Sequence, residues 1–174
     1  MLDLIWDWLA PESQLRKLHG LASQGALEQK VQVLMEDTNL QAWEKVDPLI
    51  NYARTLHAEV IPLLLSLYAA TTKLRVRINR AQRRKGGISI CDEIDTVHHF
   101  FFFALETYRG YPERVLRFVS YLWDDLAARL VRGKPDHEDL LANRLGMKWG
   151  SLLKKDPSAS AGHVIARNLN RQNA

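Results

Sequence analysis

Apolar residues recur along this chain at intervals of three and four, the spacing of one face of an α-helix. In the first ten residues Leu2, Ile5, Trp6 and Leu9 share such a face, Asp3 and Asp7 suit its N-terminal end, and Pro11 stops it. Ser13 is placed to cap a second short helix carrying Leu15, Leu18 and Leu21, with Gly20 and Gly25 as breakers. Leu27, Val31, Leu34 and Met35 predict a helix over 26–35, and Leu40, Trp43 and Val46 resume the phase after an Asp37-Thr38-Asn39 turn. Pro48 suits the first turn of a new helix, where its missing N–H costs nothing.

From Pro48 the stripe is the longest in the chain: Leu49, Tyr52, Ala53, Leu56, Val60, Leu63, Leu64, Leu67, Leu74 and Ile78, up to Gly86-Gly87. Pro62 removes one hydrogen bond and predicts a kink near Ala58. The stretch Thr72 to Asn79 also alternates like a strand, but no strand partner stands elsewhere. A helix over 89–108 follows, with Ser89 as cap, acids Asp92, Glu93 and Asp95 in its first turns, and Phe100 to Phe103 making it apolar nearly all round. Gly110 ends it. From Pro112 to Val131, Val115, Phe118, Val119, Leu122, Leu126 and Leu130 stay in phase, and Gly133 is the C-terminal stop. Another helix starts over 135–145, and beyond Asp156 the pattern weakens to a loop over 158–162 before a final short helix or tail. The predicted class is all-α: an irregular bundle of about six to eight helices, with those at 90–108 and 112–131 near its centre. One helical domain is expected over 1–157, followed by a basic C-terminal segment over 158–174.

Composition changes this picture little until charge is placed along the chain. A single cysteine, Cys91, permits no internal disulfide and fits a reducing compartment. No apolar run approaches membrane-spanning length, and the first ten residues lack the positive start of a secretory signal, so a cytoplasmic protein is expected, with no membrane partner. The net charge of +4 is distributed as −4 over residues 1–72, +7 over 73–85, −4 over 86–143 and +5 over 144–174. Two basic zones in an otherwise acidic chain suggest a polyanionic partner. The competing reading is a solvated helix face that pairs with the chain's own acids.

The first zone is KLRVRINRAQRRK, Lys73 to Lys85. As a helix it sets Lys73, Arg77, Arg80 and Arg84 on one face, with Arg75, Arg83 and Lys85 beside them. Such a face neutralises successive phosphates of DNA or RNA, and five arginines to two lysines suit bidentate phosphate contact. The second zone contains Glu138 to Lys155, EDLLANRLGMKWGSLLKK. It resembles the helix-turn-helix pattern of DNA-binding domains: a small residue at Ala142, glycine four residues later at Gly146, and apolar residues at Leu141, Leu145, Met147 and Leu152. The resemblance implies a recognition helix over 148–155 with Lys148, Trp149, Ser151 and Lys155 facing DNA. It departs at Lys155, where the pattern is apolar, and at Gly150, which weakens the helix. Arg144 belongs to the same basic region.

Other chemistries find less support. Glu93, Asp95, His98, His99 and Glu106 crowd one helix, but only Asp95 and His98 form a carboxylate–histidine pair at i, i+3, so no metal site and no cofactor are expected. Cys91 lacks a visible orienting partner for nucleophilic catalysis. Arg132 and His137 have the Arg-x4-His spacing of HEPN-type ribonucleases, but Gly133 and Pro135 break the helix it needs. The expected function is therefore a non-enzymatic nucleic-acid-binding protein, either a DNA-binding regulator or a small helical subunit of a nucleoprotein complex. The alternative is a helical adaptor whose basic face binds an acidic protein.

Overall fold

The computed structural model describes residues 24–84, 92–127, 129, 130, 133, 135 and 137–172. The protein is all-α, with no strand among the described residues. Its helices are α1 (Gln24–Glu36), α2 (Ala42–Leu56), α3 (Val60–Arg84), α4 (Asp92–Arg109), α5 (Glu113–Ser120), a π-helical segment (Tyr121–Ala127), α6 (His137–Leu153) and α7 (Ala161–Gln172). The chain divides into two compact units, Met1–His98 and His99–Ala174. The expected helices before residue 24, with Trp6 and Trp8, lie outside the described residues, as do Ser89 and Cys91.

In the first unit α1, α2 and α3 pack on one another. Leu27, Val31 and Leu34 of α1, Val46, Leu49, Ile50 and Ala53 of α2, and Leu64, Leu67 and Tyr68 of α3 are buried. These are the residues the apolar spacing marks, and water exclusion from them drives the packing. Pro48 does not begin a helix. It lies inside α2, which starts at Ala42, where the Gln41 N–H donates to Glu44 Oε2 at 2.7 Å. That reciprocal cap outweighs the preference of proline for a first turn. The long stripe after Pro48 is two helices. α2 ends at Leu56, His57 adopts an extended conformation, and α3 starts at Val60 with Pro62 in its first turn. The break falls where the proline predicts a kink, and it is complete because the extended His57 and the bend at Ala58 and Glu59 separate the helices.

α3 carries four small hydroxyl residues among its buried positions, and three bond back to their own helix. Thr71 Oγ1 donates toward the Leu67 and Tyr68 carbonyls, and Thr72 Oγ1 donates to the Tyr68 carbonyl at 2.7 Å. Ser66 Oγ reaches the Leu63 carbonyl at 2.8 Å. This satisfies buried polar groups without a partner helix. Lys45 is buried completely, and its ammonium bonds Glu93 and the Met35 carbonyl.

In the second unit the Phe100–Phe103 run is buried on every side, as its all-round apolarity predicts. Gly110 follows α4 at φ 102°, a left-handed conformation that terminates the helix cheaply only for glycine. α6 packs on α5, on the π segment and on α7. Leu116 and Val119 of α5 are buried, but the stripe drawn from Val115 to Leu130 does not survive. Phe118, Leu126 and Leu130 are exposed. The π segment is the reason: it turns the chain by more residues per turn than an α-helix, so everything after Ser120 leaves the α phase. Asp124 is thereby buried.

α6 is one uninterrupted helix from His137 to Leu153, and this overturns the helix-turn-helix resemblance. No turn exists at Gly146, which is not among the residues with positive φ. Both glycines of α6 instead face the backbone of α4. A methyl group at Gly146 would stand 2.3 Å from the Phe100 carbonyl oxygen, and one at Gly150 would stand 2.4 Å from that of Ala104. Phe100 and Ala104 are one turn apart, as are Gly146 and Gly150, so the two glycines form a groove for one ridge of α4. Trp149 stacks on Phe100 beside this groove, with ring centroids 5.4 Å apart.

Candidate polyanion-binding cleft

The connection between α6 and α7 is tied down locally. Trp149 Nε1 donates to the Ala159 carbonyl at 2.9 Å, and the Asp156 carboxylate accepts from the Ser158 N–H and hydroxyl at 2.9 and 2.6 Å. Buried Ala161, Val164 and Ile165 then seat α7 beside α6. Between them lies a cleft of about 420 Å³. Lys148, Ser151 and Lys155 line it from the α6 side, and His163, Arg167 and Asn168 from α7. Met147, Leu152 and Val164 give it an apolar wall, and Glu113 contributes one carboxylate. Lys148 Nζ donates to Asn168 Oδ1, and Asn168 Nδ2 donates to the Val164 carbonyl at 2.6 Å, so the lysine head is oriented by a side chain that is itself anchored. Three cations on a surface with few acids attract an anion, and the two basic helices hold them without needing the chain to close.

The residues expected in the second basic zone therefore divide. Lys148, Ser151 and Lys155 share the cleft. Trp149 does not: it is fully buried, and this corrects its assignment to a DNA-facing surface. Arg144 is exposed elsewhere on α6, its Nε directed at the Leu140 carbonyl 3.3 Å away. Arg167 and His163 were not singled out by the sequence. The weak patterning after Asp156 hid α7, although Val164 and Ile165 hold its buried face.

The first zone divides too. Lys73 pairs with Glu28 of α1, and Arg75 with Asp95 at the start of α4. Arg77 Nη1 donates to Gln32 Oε1 at 3.0 Å and is exposed, as is Arg80. The side chains of Arg83 and Arg84, and Lys85, lie outside the described residues. Two of the seven cations are thus engaged by the chain's own acids, and the Lys73 ammonium keeps 43% side-chain exposure against 26% for Arg75.

The acids and histidines of α4 serve mostly as internal partners. Glu93 holds Lys45, Asp95 holds Arg75, and Glu106 holds Arg109 at 2.8 Å. His98 stacks on Tyr68 at 5.0 Å, with Nδ1 3.3 Å from the Thr72 hydroxyl. His99 alone enters a different setting, a buried cluster with Asp124 and Asp139. No helix among the described residues is long and apolar enough to cross a membrane. Compared with protein-family models, curated proteins and solved structures, the chain matches none.

Proposed function

We propose that this is a non-enzymatic, cytoplasmic nucleic-acid-binding protein that holds the phosphate backbone in the α6–α7 cleft. The observation that carries the reading is the convergence of Lys148, Lys155, Arg167 and His163 around one cleft, with Ser151 and Asn168 as further hydrogen-bonding groups. Phosphate oxygens accept from ammonium, guanidinium and hydroxyl donors alike, and such contacts position a strand without reading its bases. With α6 continuous and Trp149 buried, no recognition helix is offered to a major groove. Binding is therefore sequence-independent, with exposed Arg77 and Arg80 of α3 as additional phosphate contacts.

Fluorescence anisotropy with labelled single-stranded RNA, single-stranded DNA and duplex DNA across a salt series tests this. Log affinity should fall linearly with log salt, by roughly 0.7 per phosphate contacted on a single strand. Reversing Lys148, Lys155 and Arg167 to Glu should cut affinity by roughly 100-fold, since three contacts become repulsions. All three side chains are exposed, so circular dichroism should remain that of the parent. Unchanged affinity in the triple variant, or no binding by the parent at low salt, would remove the cleft from nucleic-acid recognition and favour an acidic protein partner.

A further inference from the structure

His99 of α4 sits among four polar side chains of the second unit, all buried: Ser120 at the end of α5, Asp124 in the π segment, and Asp139 and Asn143 one turn apart on α6. Asn143 Nδ2 donates to Asp124 Oδ2 at 2.6 Å and to Ser120 Oγ at 2.7 Å. A carboxylate only accepts, so Asn143 must present its NH2 group there and its carbonyl to the histidine. Its Oδ1 lies 3.0 Å from His99 Nδ1. An amide oxygen also only accepts, so Nδ1 carries the proton. In the neutral ring the lone pair is then on Nε2, and Nε2 faces Asp139 Oδ2 at 3.7 Å.

That distance is too long for a hydrogen bond, and a lone pair opposite a carboxylate oxygen is repulsive. It is, however, the separation of two donors on one metal ion. Bonds of about 2.0–2.2 Å, opened to between a right angle and a wide tetrahedral angle, set their donor atoms about 3–4 Å apart. One donor atom from each of His99, Asp124 and Asp139 lies within 4.8 Å of the others. Their side chains are 3%, 7% and 6% exposed, and burying two carboxylates is costly unless positive charge accompanies them. A ligating histidine typically donates its other ring N–H to a fixed acceptor, which is what Asn143 provides.

We propose that His99, through Nε2, together with Asp124 and Asp139 binds one divalent transition-metal ion, with Asn143 as the positioning residue that fixes the tautomer. The donor set is one imidazole nitrogen and carboxylate oxygens without thiolate, which suits Zn²⁺ or Mn²⁺ over Cu⁺. The site is separate from the α6–α7 cleft and does not depend on nucleic-acid binding.

The test uses the untagged full chain, since a histidine tag would itself bind metal. Elemental analysis of protein purified without chelator should give about one equivalent of metal per chain. After EDTA treatment, Zn²⁺ or Mn²⁺ should raise the unfolding temperature by several degrees, and Mg²⁺ should do so far less. Asp139→Asn keeps the side-chain shape and should weaken the metal at least tenfold. Loading the parent with Co²⁺ gives a second readout, an imidazole- and carboxylate-ligated visible spectrum, which needs no variant to fold and which His99→Gln should abolish. Absence of stoichiometric metal, with no thermal shift and no Co²⁺ spectrum, would overturn the proposal and leave a protonated imidazole between the two carboxylates.

Discussion

Gly146→Leu should prevent the second unit from folding, and even Gly146→Ala should lower stability by about 2 kcal/mol. An alanine methyl group there would stand 2.3 Å from the Phe100 carbonyl oxygen, 3.1 Å from its carbon and 3.2 Å from the Ala104 nitrogen. All three are backbone atoms, so no side-chain rotation relieves the overlap. α4 and α6 must move apart, which loosens the Phe100–Trp149 stack and the burial of Leu145. Overpacking of this kind costs roughly 1–3 kcal/mol, and backbone against backbone belongs at the upper end. The helix propensity of alanine returns about 1 kcal/mol, less than the cost. Gly25→Ala supplies the control. It too lies in a helix, but nothing stands within 4 Å of its added carbon, so stability should stay level or rise by up to about 1 kcal/mol. Urea unfolding of the two variants should give changes of opposite sign; equal small gains would mean the helices do not approach so closely.

Arg75→Glu should destabilise the protein by about 3 kcal/mol, whereas Arg77→Glu, two residues along the same helix, should change stability by less than about 0.5 kcal/mol. Asp95 is the cause. Its side chain is 6% exposed and its carboxylate is held by the Arg75 guanidinium. Reversal leaves that carboxylate buried, unpaired and facing a second negative charge. Removing one partner of a buried pair costs roughly 3–5 kcal/mol, and the 26% exposure of Arg75 puts this case at the lower end. Arg77 is exposed and bonds only the neutral Gln32 amide. Thermal unfolding of both variants measures the difference. The contrast matters for function: loss of nucleic-acid binding in a variant of Arg75 would report unfolding, while loss in Arg77→Glu would report a phosphate contact.

The helices were legible because their buried faces repeat at the α period. Leu27, Val31 and Leu34, or Leu49 and Ala53, need only burial on one side to declare themselves. Gly110 was legible as a stop because termination at positive φ is a local demand. Gly146 and Gly150 were not, because a glycine tolerates a left-handed turn and a close neighbour for the same reason, the missing Cβ, and the neighbour is forty-odd residues away. Pro48 misled for a similar reason: the cap that governs α2 is set by Gln41 and Glu44 upstream of it. Half of the cleft was visible as the basic run ending at Lys155. Its other half, Arg167 and His163, comes from a helix whose apolar face is only two buried aliphatics wide. The His99 cluster joins residues 25 and 40 positions distant from the histidine, and no spacing rule reaches across that interval.

The π segment gives one stretch of this chain a sensitivity to length rather than to residue type. A π turn holds an extra residue relative to an α turn, so it is equivalent to a helix that has accepted an insertion. Deleting a single residue between Tyr121 and Ala127 would restore ordinary winding, advance the following side chains by about 100° and extend the stripe that Val119 begins. The exposed Leu126 would then have a route to the interior, and Asp124 would leave the neighbourhood of Asn143 and His99. Substitutions at Tyr121 or Leu126 would be absorbed at the surface, but a shortened chain would exchange the buried polar cluster for a better-packed and chemically silent helix.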